Sequence, residues 1–208
     1  MEINSVIVSG VIESELIFNN SQFGENFYKM IISVERNSGV KDYIPVLISE
    51  RLINVRENYC DKHIKITGQF RSYDSRDGEK SKLLLFVFVK ECGFLDDANA
   101  NNTNSVELTG FICKKPVRRK TPLGREVTDV LLAVNRQYYR TDYIPCICWG
   151  RNAKYVEGLN VGDQIKIAGR IQSREYKKRT SEGEAESRTA YEVSIMQLEY
   201  MDDAGEKK

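Results

Sequence analysis

Hydrophobic positions along this chain recur mainly with the period of a β-strand, in short runs separated by polar or glycine-rich breaks. Val6 and Val8 begin one alternating run that ends at Gly10. Residues 30–34 and 130–134 form a second kind of run, 43–48 and 143–149 a third, 64–70 and 165–171 a fourth, and 83–88 and 191–196 a fifth. Two segments between the third and fourth runs, 50–57 and 151–156, predict short helices. Pro45 and Pro145 fall inside the third strand, so a bulge or a sheet edge is expected there. Gly10, Gly68, Gly110 and Gly169 sit inside strand patterns, where a closed sheet needs bends or bulges.

The runs come in pairs because the chain repeats itself. Asn4-Ser5-Val6-Ile7-Val8-Ser9-Gly10 returns 100 positions later as Asn104-Ser105-Val106-Glu107-Leu108-Thr109-Gly110. Asp42-Tyr43-Ile44-Pro45 returns as Asp142-Tyr143-Ile144-Pro145, and Arg36 as Arg136. One residue further in register, Ile64-Lys65-Ile66-Thr67-Gly68 matches Ile165-Lys166-Ile167-Ala168-Gly169. Repeats at a nearly constant offset mean two copies of one design. Residues 1–95 are expected to form the first domain, the small polar stretch 96–103 a linker, and residues 104–202 the second domain. Five short strands with a helix between the third and fourth is the order of the OB-fold, so the predicted class is all-β, with two tandem five-stranded Greek-key barrels.

Composition narrows the chemistry. The chain has 208 residues, 41% hydrophobic and 29% charged, an ordinary globular mixture. Its longest apolar run, 83–89, is far shorter than the ~18 residues of a membrane helix. The start lacks the basic and apolar regions of a secretory leader, so a cytoplasmic location is expected. The five cysteines form no Cys-x-x-Cys pair, which argues against a zinc knuckle or a disulfide framework and for reduced thiols packed in strands. With one histidine, His63, a histidine-rich metal site is impossible, and His63 is expected to be structural. No P-loop is present, and the carboxylates are scattered over turns and the predicted helix rather than clustered for a metal or a general base. An enzyme is therefore not expected, nor a cofactor or metal.

The near-neutral whole conceals a charged part. Residues 1–100 carry 12 basic and 15 acidic residues, whereas residues 104–181 carry 16 basic and 7 acidic, a net +9. Arg118, Arg119, Lys120 and Arg125 bracket one hairpin, and Arg174, Lys177 and Lys178 lead the loop after the fourth strand. Basic loops beside a small barrel suit a phosphate backbone; a lone charge run is usually a solvated face, but this one is paired with aromatics. Aromatic residues accompany the charges: Tyr138, Tyr139, Tyr143, Trp149 and Tyr176. Strand alternation puts Tyr143, Ile147 and Trp149 on one face and Ile144, Cys146 and Cys148 on the other. Such an aromatic face could stack unpaired bases, or it could be core.

The stretch Lys115-Pro116-Val117-Arg118-Arg119-Lys120-Thr121-Pro122-Leu123-Gly124, followed by Val130-Leu131-Leu132-Ala133-Val134, resembles the opening hairpin and strand of the bacterial single-stranded DNA-binding protein family. Asp142-Tyr143 and Trp149-Gly150 are similar to the ends of that family's next strand. Gly162-Asp163-Gln164-Ile165-Lys166-Ile167-Ala168-Gly169 resembles its Gly-x-x-Val-x-Ile-x-Gly. The similarity runs over nearly all of 104–200, and the two-copy chain resembles the family's tandem form. The resemblance implies base stacking on Tyr138, Tyr143, Trp149 and Tyr176, with Arg118, Arg119, Lys120, Arg125, Arg136, Arg174, Lys177 and Lys178 along the backbone.

The first copy departs from this pattern. Its hairpin has no basic residue, and Ser38 and Ser49 replace Tyr138 and Trp149. Tyr43 remains, and Tyr73 stands in for Tyr176. This copy is expected to bind more weakly or to serve assembly. The family's acidic C-terminal tip has no match in 202–208, so recruitment of enzymes through it is not expected.

The implied function is non-catalytic, largely sequence-independent binding of single-stranded DNA in replication, recombination or repair, by a homodimer bringing together four OB-folds. No membrane or small-molecule substrate is implied. The competing reading is a primosome-type protein adaptor with incidental nucleic-acid contact.

Overall fold

The computed structural model describes residues 3–77, 80–121, 123–179 and 185–201; Pro122 and the side chain of Lys178 lie outside the described residues. The first half runs through β1 (Asn4–Ile12), β2 (Ile17–Gln22), β3 (Glu25–Glu35), β4 (Lys41–Ser49), β5 (His63–Asp77) and β6 (Lys80–Leu95). The second contains β7 (Thr103–Ile112), β8 (Val117–Lys120), β9 (Glu126–Arg136), β10 (Arg140–Trp149), α1 (Gly150–Glu157), β11 (Gln164–Arg179) and β12 (Ala185–Met201). Between them stands a single 3-10 turn, Asp97–Asn99. The fold is all-β and consists of two tandem OB-folds. Each half has one strand beyond the five predicted, because the hairpin before the second strand forms its own ladder, β2 on β3 and β8 on β9.

Each barrel closes where its first strand bends to serve two neighbours. β1 pairs with β5 through Val6↔Gly68 to Val11↔His63, and its end pairs with β3 at Val11↔Ser33 and Ile12↔Ile32. The bend needs a residue without a side chain. A Cβ on Gly10 would lie 2.1 Å from the Ser33 carbonyl oxygen, and one on Gly110 would lie 2.5 Å from that of Ala133. Gly68 sits at a register shift between β5 and β6, where a Cβ would meet the Phe88 carbonyl oxygen at 2.1 Å. The core inside each barrel takes one parity of each strand, with Val6, Val8, Ile32, Ile44, Ile66 and Phe70 in the first half fully buried. Pro45 causes no bulge. It pairs with Ile31 on β3, and parallel pairing with β6 begins only at Val46↔Val87, so Pro45 occupies an edge position.

The helix expected over 50–57 does not form. Local side chains take the backbone donors there: Ser49 Oγ accepts from the Arg51 N–H at 3.0 Å, Asn54 Oδ1 from Arg56 at 3.2 Å, and Asn58 Oδ1 from Cys60 at 2.9 Å. These turns compete with helical hydrogen bonding. In the second half, Ala153 and Val156 give α1 an apolar face buried in the barrel end, and Thr128 Oγ1 donates to the Ala153 carbonyl at 2.8 Å.

The halves join edge to edge. β1 and β7 pair antiparallel from Asn4↔Leu108 to Ser9↔Thr103, centred on Val6↔Val106. Equivalent valines face each other, so the repeat folds about an approximate two-fold axis, and among the described residues the strands form one twelve-stranded sheet. The repeated polar residues serve this arrangement. Asn4 donates to the Phe70 carbonyl at 2.8 Å and accepts from the Phe70 N–H at 2.9 Å, and Asn104 does the same with Ile171 at 2.6 and 2.9 Å. Asp142 Oδ1 accepts from the Ser72 N–H at 2.9 Å, and the Tyr143 N–H donates to Ser72 Oγ at 2.8 Å. Asp42 and Tyr43 make the matching pair with Ser173, each at 3.0 Å. The Asp-Tyr repeat thus fastens each half to the long hairpin of the other.

Replacing Gly10 by Ala should lower the unfolding free energy by about 1–3 kcal/mol or more, because the methyl group meets backbone rather than a movable side chain. Urea denaturation of the variant against the parent measures this.

Candidate nucleic-acid interface

β10 organises the site. Its inward parity (Asp142, Ile144, Cys146, Cys148) is buried, and its outward parity carries Tyr143 and Trp149, 45% and 36% exposed, on either side of buried Ile147. All five cysteines are free, and burial pushes the Cys148 thiol up to about 12. Trp149 ends the strand in extended conformation, and Gly150 turns the chain into α1 with φ of 55°. The tryptophan ring is therefore held at a sharp strand-to-helix corner.

At the other end of β10 lies the β9–β10 hairpin. Arg136 and Arg140 pair across its mouth, and Tyr138 and Tyr139 stand fully exposed at its tip. Both tyrosines have left-handed backbone, with φ of 61° and 55°. That region suits Gly or Asn and is strained for an aromatic residue. The corresponding turn of the first half solves the same problem with Gly39, φ 78°. Tyr139 was outside the stacking set implied by the family resemblance, yet it shares the tip with Tyr138. Its neighbour in the same unusual conformation was the clue.

The basic groups fall into two states. Arg118 is already paired, with Glu126 at 2.6 Å and Glu157 at 2.8 Å, and Arg119 grips Asp129 at 2.5 and 2.9 Å. These hydrogen bonds hold both guanidinium pKa values above their ordinary range. Lys120, Arg125 and Lys177 are exposed. On β11 the Arg174 guanidinium lies 5.9 Å from the centre of the Tyr176 ring and 3.9 Å from Glu192, whose charge also reaches Arg119. The β8–β9 hairpin and the β11 arm therefore meet around Glu192. Arg136 is half-buried rather than free on the surface, with Nε 3.5 Å from Asp142 Oδ2.

In the first half, Tyr43 is exposed like its counterpart Tyr143. Tyr73 is half-buried and packs edge-on against Phe86 at 6.0 Å. The shared position of Ser72 and Ser173 makes Ser75 the positional match of Tyr176, and Tyr73 lies on the same strand face two residues nearer the barrel. The outward face of β6 also bears Phe86 and Phe88, which alternation in the run 83–89 did not reveal because both parities are apolar.

Residues 103–201 match the single-strand binding protein family. Single-stranded DNA-binding protein A of Bacillus subtilis is 38% identical over a stretch covering 35% of this chain and 46% of that protein. Single-stranded DNA-binding protein 2 of Streptococcus agalactiae is 33% identical, covering 36% and 63%. The matched stretch spans about half the length of the Bacillus relative. The wild-type single-stranded DNA binding protein from Thermus aquaticus superposes with a TM-score of 0.74 at 23% identity, over 96% of this chain and 93% of that one. A deletion variant of the same protein gives 0.76 at 20% identity, over 96% and 95%. These two likenesses show that the two-barrel fold extends over both halves.

Because the tip tyrosines occupy strained backbone, replacing Tyr138-Tyr139 with Asn-Gly should raise the unfolding free energy by about 1–2 kcal/mol. A denaturation midpoint shifted upward with unchanged slope is the expected result.

Proposed function

We propose, from the match of residues 103–201 to the single-strand binding protein family, that the protein binds single-stranded DNA, without catalysis and largely without regard to sequence. The observation that carries this reading is the second half's exposed aromatic series, Tyr138, Tyr143, Trp149 and Tyr176, beside the basic hairpin of Arg118, Arg119, Lys120 and Arg125. Stacking is tolerant of base identity, and phosphate contacts carry no sequence information, so the combination yields affinity without readout. Nothing in this chemistry requires a cofactor or a bond-making step.

On this reading 1–95 and 104–202 are the two binding units, joined by 96–103. A homodimer would present four OB-folds to one strand, in replication, recombination or repair. The free thiols suit the reducing cytoplasm in which such work is done. Tyr43, Tyr73, Arg136, Arg174, Lys177 and Lys178 extend the track beyond the central series.

The paired state of Arg118 has a consequence for affinity. A phosphate must compete with Glu126 and Glu157 for its guanidinium, so Glu157→Gln should tighten binding. Arg118→Ala should reduce the slope of log affinity against log salt by about one. Trp149→Ala should weaken binding by roughly 1–3 kcal/mol and leave the slope unchanged. Titration of oligo(dT) into the full chain at several salt concentrations, following Trp149 fluorescence and anisotropy of the labelled oligonucleotide, checks all three. Absence of binding at low salt overturns the reading in favour of a protein adaptor.

A further inference from the structure

We propose that the first half carries a dimerisation edge: β2 of one chain pairs antiparallel with β2 of a second copy, about a two-fold axis between Asn19 and Asn20. The proposal rests on the homodimer put forward above and names the surface that makes it.

The sheet ends in two strands of matched position, β2 and β8. Among the described residues β2 pairs with β3 alone and β8 with β9 alone, so each presents one free edge of backbone donors and acceptors. The repeat of 100 positions aligns the two hairpins, and both close on a left-handed glycine, Gly24 with φ of 75° and Gly124 with φ of 76°. Phe18, Asn19 and Asn20 therefore stand where the second half has Arg118, Arg119 and Lys120. Charge on an edge strand keeps two copies from pairing there, because pairing would set like charges opposite one another. β8 has that protection. β2 does not, for the first hairpin carries no charged residue from Leu16 to Gly24.

Apolar groups flank the uncharged edge. Ile17 and Phe18 are exposed, and Phe23, at the tip, is 98% exposed on left-handed backbone with φ of 52°. A bulky residue is strained in that conformation, and a fully exposed ring contributes nothing to the barrel. A second copy supplies the missing contact. Antiparallel pairing centred between Asn19 and Asn20 sets Phe18 opposite Ser21, Ile17 opposite Gln22 and Leu16 opposite Phe23. The tip ring of each chain then lies over the root of the other chain's hairpin. The bulge between Phe18 and Asn20 falls at the axis, so both chains carry the same bend there. Such a contact is isologous and closes with two chains, main-chain hydrogen bonds giving the affinity. β2 on β8 of another copy would instead be head-to-tail, would grow without closing, and would set Lys120 and Arg119 against asparagines that offer no charge. Joined through their first halves, two chains leave the basic hairpins of both second halves free for a strand.

The test is sedimentation velocity of the full chain, without DNA, over a wide range of concentration. The parent should show a monomer–dimer equilibrium and no larger species. The double variant Asn19→Arg/Asn20→Lys, which places on β2 the residues that β8 carries at the same positions, should raise the dimer dissociation constant at least about tenfold and leave the unfolding midpoint unchanged. Asn19→Glu/Asn20→Glu should do the same. An equimolar mixture of the two variants should recover the dimer, because opposite charges then meet at the axis. A mixture that fails to recover it overturns the register at Asn19 and Asn20. Variants that each dimerise like the parent overturn the β2 edge and leave a homodimer formed elsewhere. A parent that stays monomeric overturns the edge and the homodimer together, and species that keep growing with concentration overturn the closed pairing. Binding of oligo(dT) by the chain stands or falls separately, by its own titration.

Discussion

The antiparallel pairing of β1 with β7 is the constraint from which the rest of the structure follows. In an isolated barrel each of these strands would leave an edge of unpaired backbone groups, an invitation to indiscriminate association. Pairing the two copies of the same edge satisfies both at once, and the self-complementary register around Val6↔Val106 aligns the halves about a two-fold axis. The axis brings the long β5–β6 hairpin against β10 and the β11–β12 hairpin against β4. Ser72 meets Asp142 there, and Ser173 meets Asp42. Parts of the sequence a hundred residues apart thereby become single surfaces.

On that symmetric frame the chemistry is asymmetric. The inner parities of the strands are nearly the same in both halves, because both must fill the same barrel. The outer parities diverge. The second half has Trp149 at the strand end and Arg118 and Arg119 on its hairpin, balanced by Glu126, Asp129 and Glu192. In the first half, Ser49 and an uncharged hairpin occupy those places, and Phe86, Phe88 and Arg71 lie one strand pair away. Duplication followed by drift of the outer faces alone would leave this pattern, since the buried parity tolerates little change in volume.

The surfaces that meet solvent also hold features that stability does not explain. Tyr138 and Tyr139 occupy left-handed backbone with their rings fully exposed, and the Nε of half-buried Arg136 makes no hydrogen bond, standing 3.5 Å from an Asp142 oxygen, whereas Arg36 Nε donates to Asp42 at 2.6 Å. Strain and unsatisfied polar groups cluster where a protein meets a ligand. Both features lie on one hairpin, between the aromatic face of one half and that of the other.

How much of this could be read without coordinates depends on which physical rule acts locally. Strand alternation is local, so the division of β10 into buried Ile144, Cys146 and Cys148 and outward Tyr143 and Trp149 was legible. So was the need for glycine at 10 and 68, although only the fold showed that the obstacle is a carbonyl oxygen of a neighbouring strand. The helix expected at 50–57 is absent because Ser49, Asn54 and Asn58 accept the local backbone donors, a competition that the pattern of apolar positions does not display. Three things lay beyond any local rule. The repeat disclosed two copies but not which edges pair, since β1 and β7 read as ordinary strands. The uninterrupted apolar run 83–89 concealed the outward Phe86 and Phe88, because alternation shows only when one face is polar. Finally, the meeting of Arg136 and Arg140 with Phe86 and Phe88 of the other half around one groove depends on the two-fold axis. The sequence by itself determined the strands, the repeat and the aromatic and basic residues; the tertiary structure decided how they share surfaces, because only the β1–β7 pairing sets one half against the other.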